Sequence, residues 1–126
     1  MKTVAALILS LALGPAPGPV QAQAPQTATA SAPGVVLRGL DKIAGRSQDL
    51  RIAAGESVNF GRLTITLTEC RFPVDDPAAD AFAHLVIHDA RETEPVFRGW
   101  MIASSPALNA MDHVRFDVWV IRCTSA

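Results

Sequence analysis

Tyrosine is absent from this 126-residue chain, and aromatic residues of every kind make up only 6% of it. Trp100 and Trp119 are therefore the only large aromatics with a polar handle, so a recognition surface built on aromatic anchors has few residues to draw on. Lysine is scarce as well, occurring only at Lys2 and Lys42. With a formal net charge of −1 the chain lacks the basic excess of a nucleic-acid binder. No apolar run approaches the roughly 20 residues of a membrane-spanning helix. The two cysteines are not arranged as C-x-x-C, which argues against thiol redox catalysis. Gly39, Gly45, Gly55 and Gly61 are isolated rather than clustered, so no glycine-rich phosphate loop is present. Ser104 and Ser105 lack the G-x-S-x-G context of an activated nucleophile.

What is present begins with an address. Met1-Lys2-Thr3 is a positive start, Val4 to Leu13 is an apolar run of about ten residues, and Val20-Gln21-Ala22 has the small-x-small pattern of a signal peptidase site. A cut after Ala24 would leave Pro25 first, a poor fit for a protease cleft, so cleavage is expected near Ala22. No cysteine stands there to be acylated, so the mature chain is expected to be unanchored and periplasmic or secreted. Cys70 and Cys123, an even count in an exported protein, then read as a structural disulfide.

The chain divides into a signal peptide (1–22), a flexible leader (23–34) and one β-rich domain (35–124). The leader is small, polar and uncharged, with too little apolar surface to offset its ordering entropy. Strands are predicted at 35–40, 48–52, 58–60, 63–68, 95–102 and 114–123. Leu63-Thr64-Ile65-Thr66-Leu67-Thr68 has the strict alternation of a half-buried strand, and Val114, Phe116, Val118 and Val120 form one face of the last. Residues 78–90 are ambiguous: Asp76-Pro77 looks like a helix start, but the all-β surroundings favour a strand over 82–87. Ser105-Pro106 predicts a short helical turn over 105–111. The whole reads as a mainly β fold: a small antiparallel β-sandwich or barrel of about seven strands with one short helical turn.

Candidate sites are few. His84 and His88, four apart, share a face in either a helix or a strand. They could hold one metal ion only on a helix, because on a strand they stand about 13 Å apart. Ordinary surface histidines are the simpler reading, and no metal or other cofactor is expected. His113 and several aspartates occur, but at no spacing that builds a triad. Arg38, Arg98, Arg115 and Arg122 fall in predicted strands and read as solvent-facing alternates paired with carboxylates. Trp100 and Trp119 lie among strand-forming residues, where core packing is the default, although the parity of Trp119 with Arg115 and Asp117 points outward. Trp100, Met101, Ser104, Ser105, Leu108, Met111 and Trp119 group aromatic, Met and loop residues in a composition favoured at recognition surfaces.

Several blocks together look familiar. The run from Leu37 to Arg46, Phe60-Gly61-Arg62-Leu63-Thr64-Ile65 with a strand ending in Cys70, Pro95-Val96-Phe97-Arg98-Gly99-Trp100-Met101, Ser104-Ser105-Pro106-Ala107-Leu108 and Asp117-Val118-Trp119-Val120 closing on Cys123 resemble an alphaproteobacterial secreted family catalogued as domain of unknown function 2155. The resemblance covers about residues 35–124. It implies an exported, cysteine-paired, single-domain envelope protein and carries no assigned catalytic positions. The expectation is a non-enzymatic binding or accessory domain of the cell envelope, its partner an envelope protein or a polysaccharide. The alternatives are a carbohydrate- or peptidoglycan-binding module using the tryptophans, and a small metal-dependent hydrolase using His84 and His88.

Overall fold

The computed structural model describes residues 11–19 and 28–125. The expected cleavage point at Ala22, the first ten residues of the signal peptide and residues 23–27 of the leader lie outside them. Leu11 to Pro19 have no regular secondary structure. No helix among the described residues is long and apolar enough to cross a membrane.

Among the described residues eight strands follow one another: β1 (Thr29–Ala32), β2 (Gly34–Asp41), β3 (Arg46–Ala53), β4 (Ser57–Phe60), β5 (Leu63–Pro73), β6 (Phe82–Asp89), β7 (Phe97–Ile102) and β8 (Phe116–Thr124). They build two antiparallel sheets, which settles the choice between sandwich and closed barrel in favour of two sheets. The larger has five strands, with β5, β6 and β7 side by side and both β1 and β4 on the far edge of β5. The smaller has the order β3-β2-β8. The length of β5 explains how one edge takes two partners: β4 pairs with Leu63 to Thr66 and β1 with Cys70 to Pro73.

The alternation in β5 acts as its sequence suggests. Leu63, Ile65 and Leu67 are fully buried while the threonines between them face outward. Leu85 and Ile87 of β6 and Val35 and Leu37 of β2 meet them in one core. Burying a side chain of this size contributes about 1.5–3 kcal/mol. At one end of the sandwich Phe60 and Phe116 stack edge to face, 5.5 Å between centroids. The Phe116 ring lies against Gly61, whose φ of 57° a side chain would strain and whose missing Cβ leaves the space the ring occupies.

The disulfide forms between Cys70 on β5 and Cys123 on β8, joining the two sheets, with 5.8 Å between Cα atoms. The strand reading of 82–87 also holds, as β6. Asp76 to Ala79 make only a single turn, closed by the Ala79 N–H on the Asp76 carbonyl.

Three expectations need correcting. The leader is not flexible to residue 34, because Thr29 to Ala32 pair with β5. Arg71 secures them by donating to the Thr29 hydroxyl at 2.8 Å and to Ser31 at 2.9 Å, so cross-strand hydrogen bonds substitute for the missing apolar surface. With β1 included, the described residues hold eight strands, in keeping with the expected about seven. Residues 105–111 form no helix but one turn, closed by the Leu108 N–H on the Ser105 carbonyl, because the segment is too short to sustain a second. Val114 does not join the face of β8; it is 88% exposed and precedes the strand, where His113 turns the chain.

Candidate functional site

Two regions concentrate polar or exposed side chains. The first is a buried cluster at the Phe116 end. Asp89 closes β6 and is 3% exposed, yet it is fully partnered. Arg62, in the β4–β5 turn, donates Nε to both its oxygens at 2.8 and 2.9 Å, and the Arg91 amide donates at 3.0 Å. His113 Nε2 lies 2.7 Å from Asp89 Oδ2. Its Nδ1 accepts from the backbone amides of Arg115 and Phe116 at 3.0 and 3.1 Å, so the proton sits on Nε2, which donates to Asp89. Both ring nitrogens are thus hydrogen-bonded within the protein. An Asp–His pair that resembles half of a triad is, in this geometry, a clamp joining β6 to the start of β8.

A second carboxylate lies nearby. Asp41, at the end of β2, accepts from Arg115 Nη2 at 2.9 Å and caps the turn through the amides of Ala44 and Ile43. The Arg115 hydrogen bond, then the Ala44 amide, lower its pKa to about 2. The Arg91 amide, then His113 and Arg62, hold Asp89 well below the usual carboxylate range against the opposing effect of burial. A carboxylate with a depressed folded pKa adds stability above its unfolded value, near 3.8, and loses it as the pH falls through the folded value. The melting temperature is therefore expected to fall below about pH 4 and to keep falling towards pH 2, and Asp41→Asn to remove part of that slope. Thermal melts by circular dichroism across this range provide the check.

The second region is the side of the sandwich where β7 and β8 are edge strands, bridged by residues 103–115. It holds the residues expected to form a recognition surface, but not together. Trp100 points outward from β7 on the larger sheet, 40% exposed, with its ring edge to face with His84 at 5.3 Å. Trp119 points outward from β8 on the smaller sheet, half-buried, in register with Arg38. The two tryptophans thus occupy opposite faces, and neither belongs to the core where their neighbours suggested they would pack. Met101 and Met111 are corrected in the other direction: both are buried core residues and offer nothing to a partner. Ser104, Ser105 and Leu108 are exposed, Leu108 by 73%.

Side-chain anchors hold the connecting loop in place. Ser104 donates its amide and hydroxyl to Asp80 at 3.0 and 2.7 Å. Asn109 donates to the Trp100 carbonyl at 2.8 Å, passing close over Gly99, whose φ of 153° and bare Cα admit it. Between Pro106, Ala107 and Ala110 on one side and Asp117, Val118 and Trp119 on the other runs an open groove of about 410 Å³. His84 and His88 lie along β6, where the strand rise separates them by about 13 Å, so the hydrolase reading loses the helix it required. Among the described residues no three His, Cys, Asp or Glu side chains gather in a way that could hold a metal ion. Of the four arginines expected in strands, Arg115 instead lies just ahead of β8; Arg38 pairs with Asp49 and Arg115 with Asp41, while Arg98 and Arg122 form no ion pair among the described residues.

Sequence reasoning missed the Arg62–Asp89–His113 cluster. Its members are 27 and 24 residues apart, and no periodicity links them. The one available signal was a histidine just ahead of a strand in a chain with only three.

Comparison with known proteins supplies a family and no activity. The family described as "Uncharacterized protein conserved in bacteria (DUF2155)" matches residues 35–123. Uncharacterized protein RP359 of Rickettsia prowazekii (strain Madrid E) is 29% identical over 87 residues, 67% of this chain and 56% of that relative. The chain thus spans about half the length of the curated relative it matches. No solved structure matches.

Proposed function

This chain belongs to the DUF2155 family, and from that premise we propose that it is a non-catalytic, exported binding domain that holds a protein partner of the cell envelope on its β7–β8 side. The observation that carries this reading is the groove between Trp119 and the Pro106–Ala110 turn. A half-buried indole beside an apolar trough, with an exposed Leu108 nearby, is the arrangement in which a few contacts provide most of the binding energy. The signal-like start supports export. The commitment of both His113 nitrogens supports a binding role over a catalytic one.

Photocrosslinking in intact cells tests it. A crosslinking residue at position 108 is expected to capture an envelope protein, and one at Thr64, on the outer face of the larger sheet, is not. Trp119→Ala should weaken capture from position 108 about tenfold or more, the effect of losing one aromatic anchor. Its melting temperature should move by only a few degrees, since the indole lies outside the core. Equal capture from both positions, or capture indifferent to Trp119→Ala, overturns the reading.

The exposure of Trp100 favours a second reading, in which its indole stacks on the sugar rings of peptidoglycan. Retention on purified sacculi that is lost in Trp100→Ala would select it, and absence of retention removes it.

A further inference from the structure

The groove beside Trp119 does not end there. A second, of about 220 Å³, lies between Pro77 to Asp80, Ala103 and Ser104 on one side and Ile121 and Arg122 on the other. A third, of about 260 Å³, runs from Phe72, Pro77 and Ala78 to Arg122 and Ser125. The three follow one another along β8, from Asp117 to Ser125.

Among the described residues that side of β8 is an open strand edge. There β8 pairs only with β2, with a bulge at Ile121, and the Lys42 amide bonding to the Arg115 carbonyl sets the phase of the pairing ahead of the bulge. By antiparallel alternation Asp117 and Trp119 direct their backbone groups to β2, while Val118 and Val120 direct theirs away from it. The Val118 amide confirms the phase, because its partner is the side chain of its own neighbour, Asp117 Oδ1, at 3.1 Å. Such a local cap covers an edge amide only until a better acceptor arrives. The equivalent edge of β7 differs, with its Trp100 carbonyl already taken by Asn109.

We propose that the free edge of β8 is a strand-addition site for an extended peptide segment of the partner, with an acidic side chain of that segment meeting Arg122. Three observations specify this occupant. The trough is lined largely by small and apolar side chains, which suits the alternating side chains of a strand. The unpaired edge supplies main-chain donors and acceptors. Its charges are also unequal in availability: Asp80 is occupied by Ser104 and the Ala81 amide, and Asp117 by the Val118 amide. Arg122, which borders both lower grooves, has no hydrogen-bonded partner among the described residues, so the available charge is a guanidinium. The inference rests on the reading above, that the β7–β8 side is the binding side, and adds the partner's conformation and charge.

The test uses the mature, isotopically labelled chain and the synthetic peptide Ser-Val-Thr-Val-Glu-Val-Thr-Ser. Controls are the same peptide with Lys in place of Glu, and with alternate valines N-methylated to remove their amide hydrogens. Amide resonances of Val118 and Val120 are expected to shift saturably, with their hydrogen exchange slowed tenfold or more. The Glu peptide should bind about threefold tighter than the Lys peptide, a difference of the size of one exposed ion pair, and Arg122→Gln should erase that preference. The N-methylated peptide should not bind. Shifts that map elsewhere, no binding by any of the peptides, or equal binding of the N-methylated peptide would overturn strand addition. Crosslinking from position 108 that persists in that event leaves the binding side standing, whereas its loss with intact peptide binding removes the broader reading alone.

Discussion

Replacing both Cys70 and Cys123 by serine is expected to lower the stability of this domain by about 4 kcal/mol, the closure entropy of a loop of this length. For a domain of about this size that corresponds to a fall in melting temperature of roughly 15–30 °C. The bond joins β5 of the larger sheet to β8 of the smaller one. Among the described residues β8 has a backbone partner on one edge only, so without the crosslink its C-terminal end is held by β2 and by side-chain packing. Cys70 is fully buried, and a serine there adds an unpartnered hydroxyl to the loss of the crosslink. Against a total of about 5–15 kcal/mol for a native domain, the change takes a large share. Urea unfolding of the double variant, and of the natural chain with and without reductant, makes the comparison. A reduced protein that unfolds at the same urea concentration as the oxidised one would refute the expectation.

His113→Ala is expected to cost roughly 2–4 kcal/mol without altering the fold. The ring is nearly inaccessible, and removing it leaves the amides of Arg115 and Phe116 without their acceptor. It also takes one partner from the buried Asp89 carboxylate and a packing surface from Phe116, whose ring centroid is 5.4 Å away. The Lys42 ammonium, which donates to the His113 carbonyl at 2.6 Å, and the Arg115–Asp41 pair keep the turn in place, so the loss is one of stability rather than of structure. His113→Asn should recover part of the loss if its amide oxygen accepts one of the two backbone amides. Chemical denaturation of the two variants beside the natural chain gives the sizes, and an alanine variant within about 0.5 kcal/mol of the natural chain would show that the cluster carries no weight.

Local pattern carried the reading of this chain as far as strands. Leu63 to Thr68 and Phe116 to Val120 were legible because side chains alternate across a strand, so composition at every second position reports directly on the core. The disulfide was legible from cysteine count and expected compartment. Thr29 to Ala32 were not, since their order comes from pairing with β5 and from Arg71, some 40 residues away, with Ala32 alone among them reaching the core. Met101 and Met111 illustrate the same limit: their types suit either a recognition surface or a core, and only the packing of β7 and the following loop decided for the core.

The sequence by itself therefore determined the β class of this protein, its cysteine pair and the inward faces of its central strands, which follow from composition and periods a few residues long, while its family showed through the resemblance of several separate blocks. The tertiary structure alone decided that the two tryptophans face opposite ways, that Asp89 and His113 close on one another, and that β8 keeps an open edge. The physical reason is common to all three. Each depends on which strands become neighbours, and strand neighbourhood in a sandwich is set by pairing across tens of residues, where no local periodicity reaches.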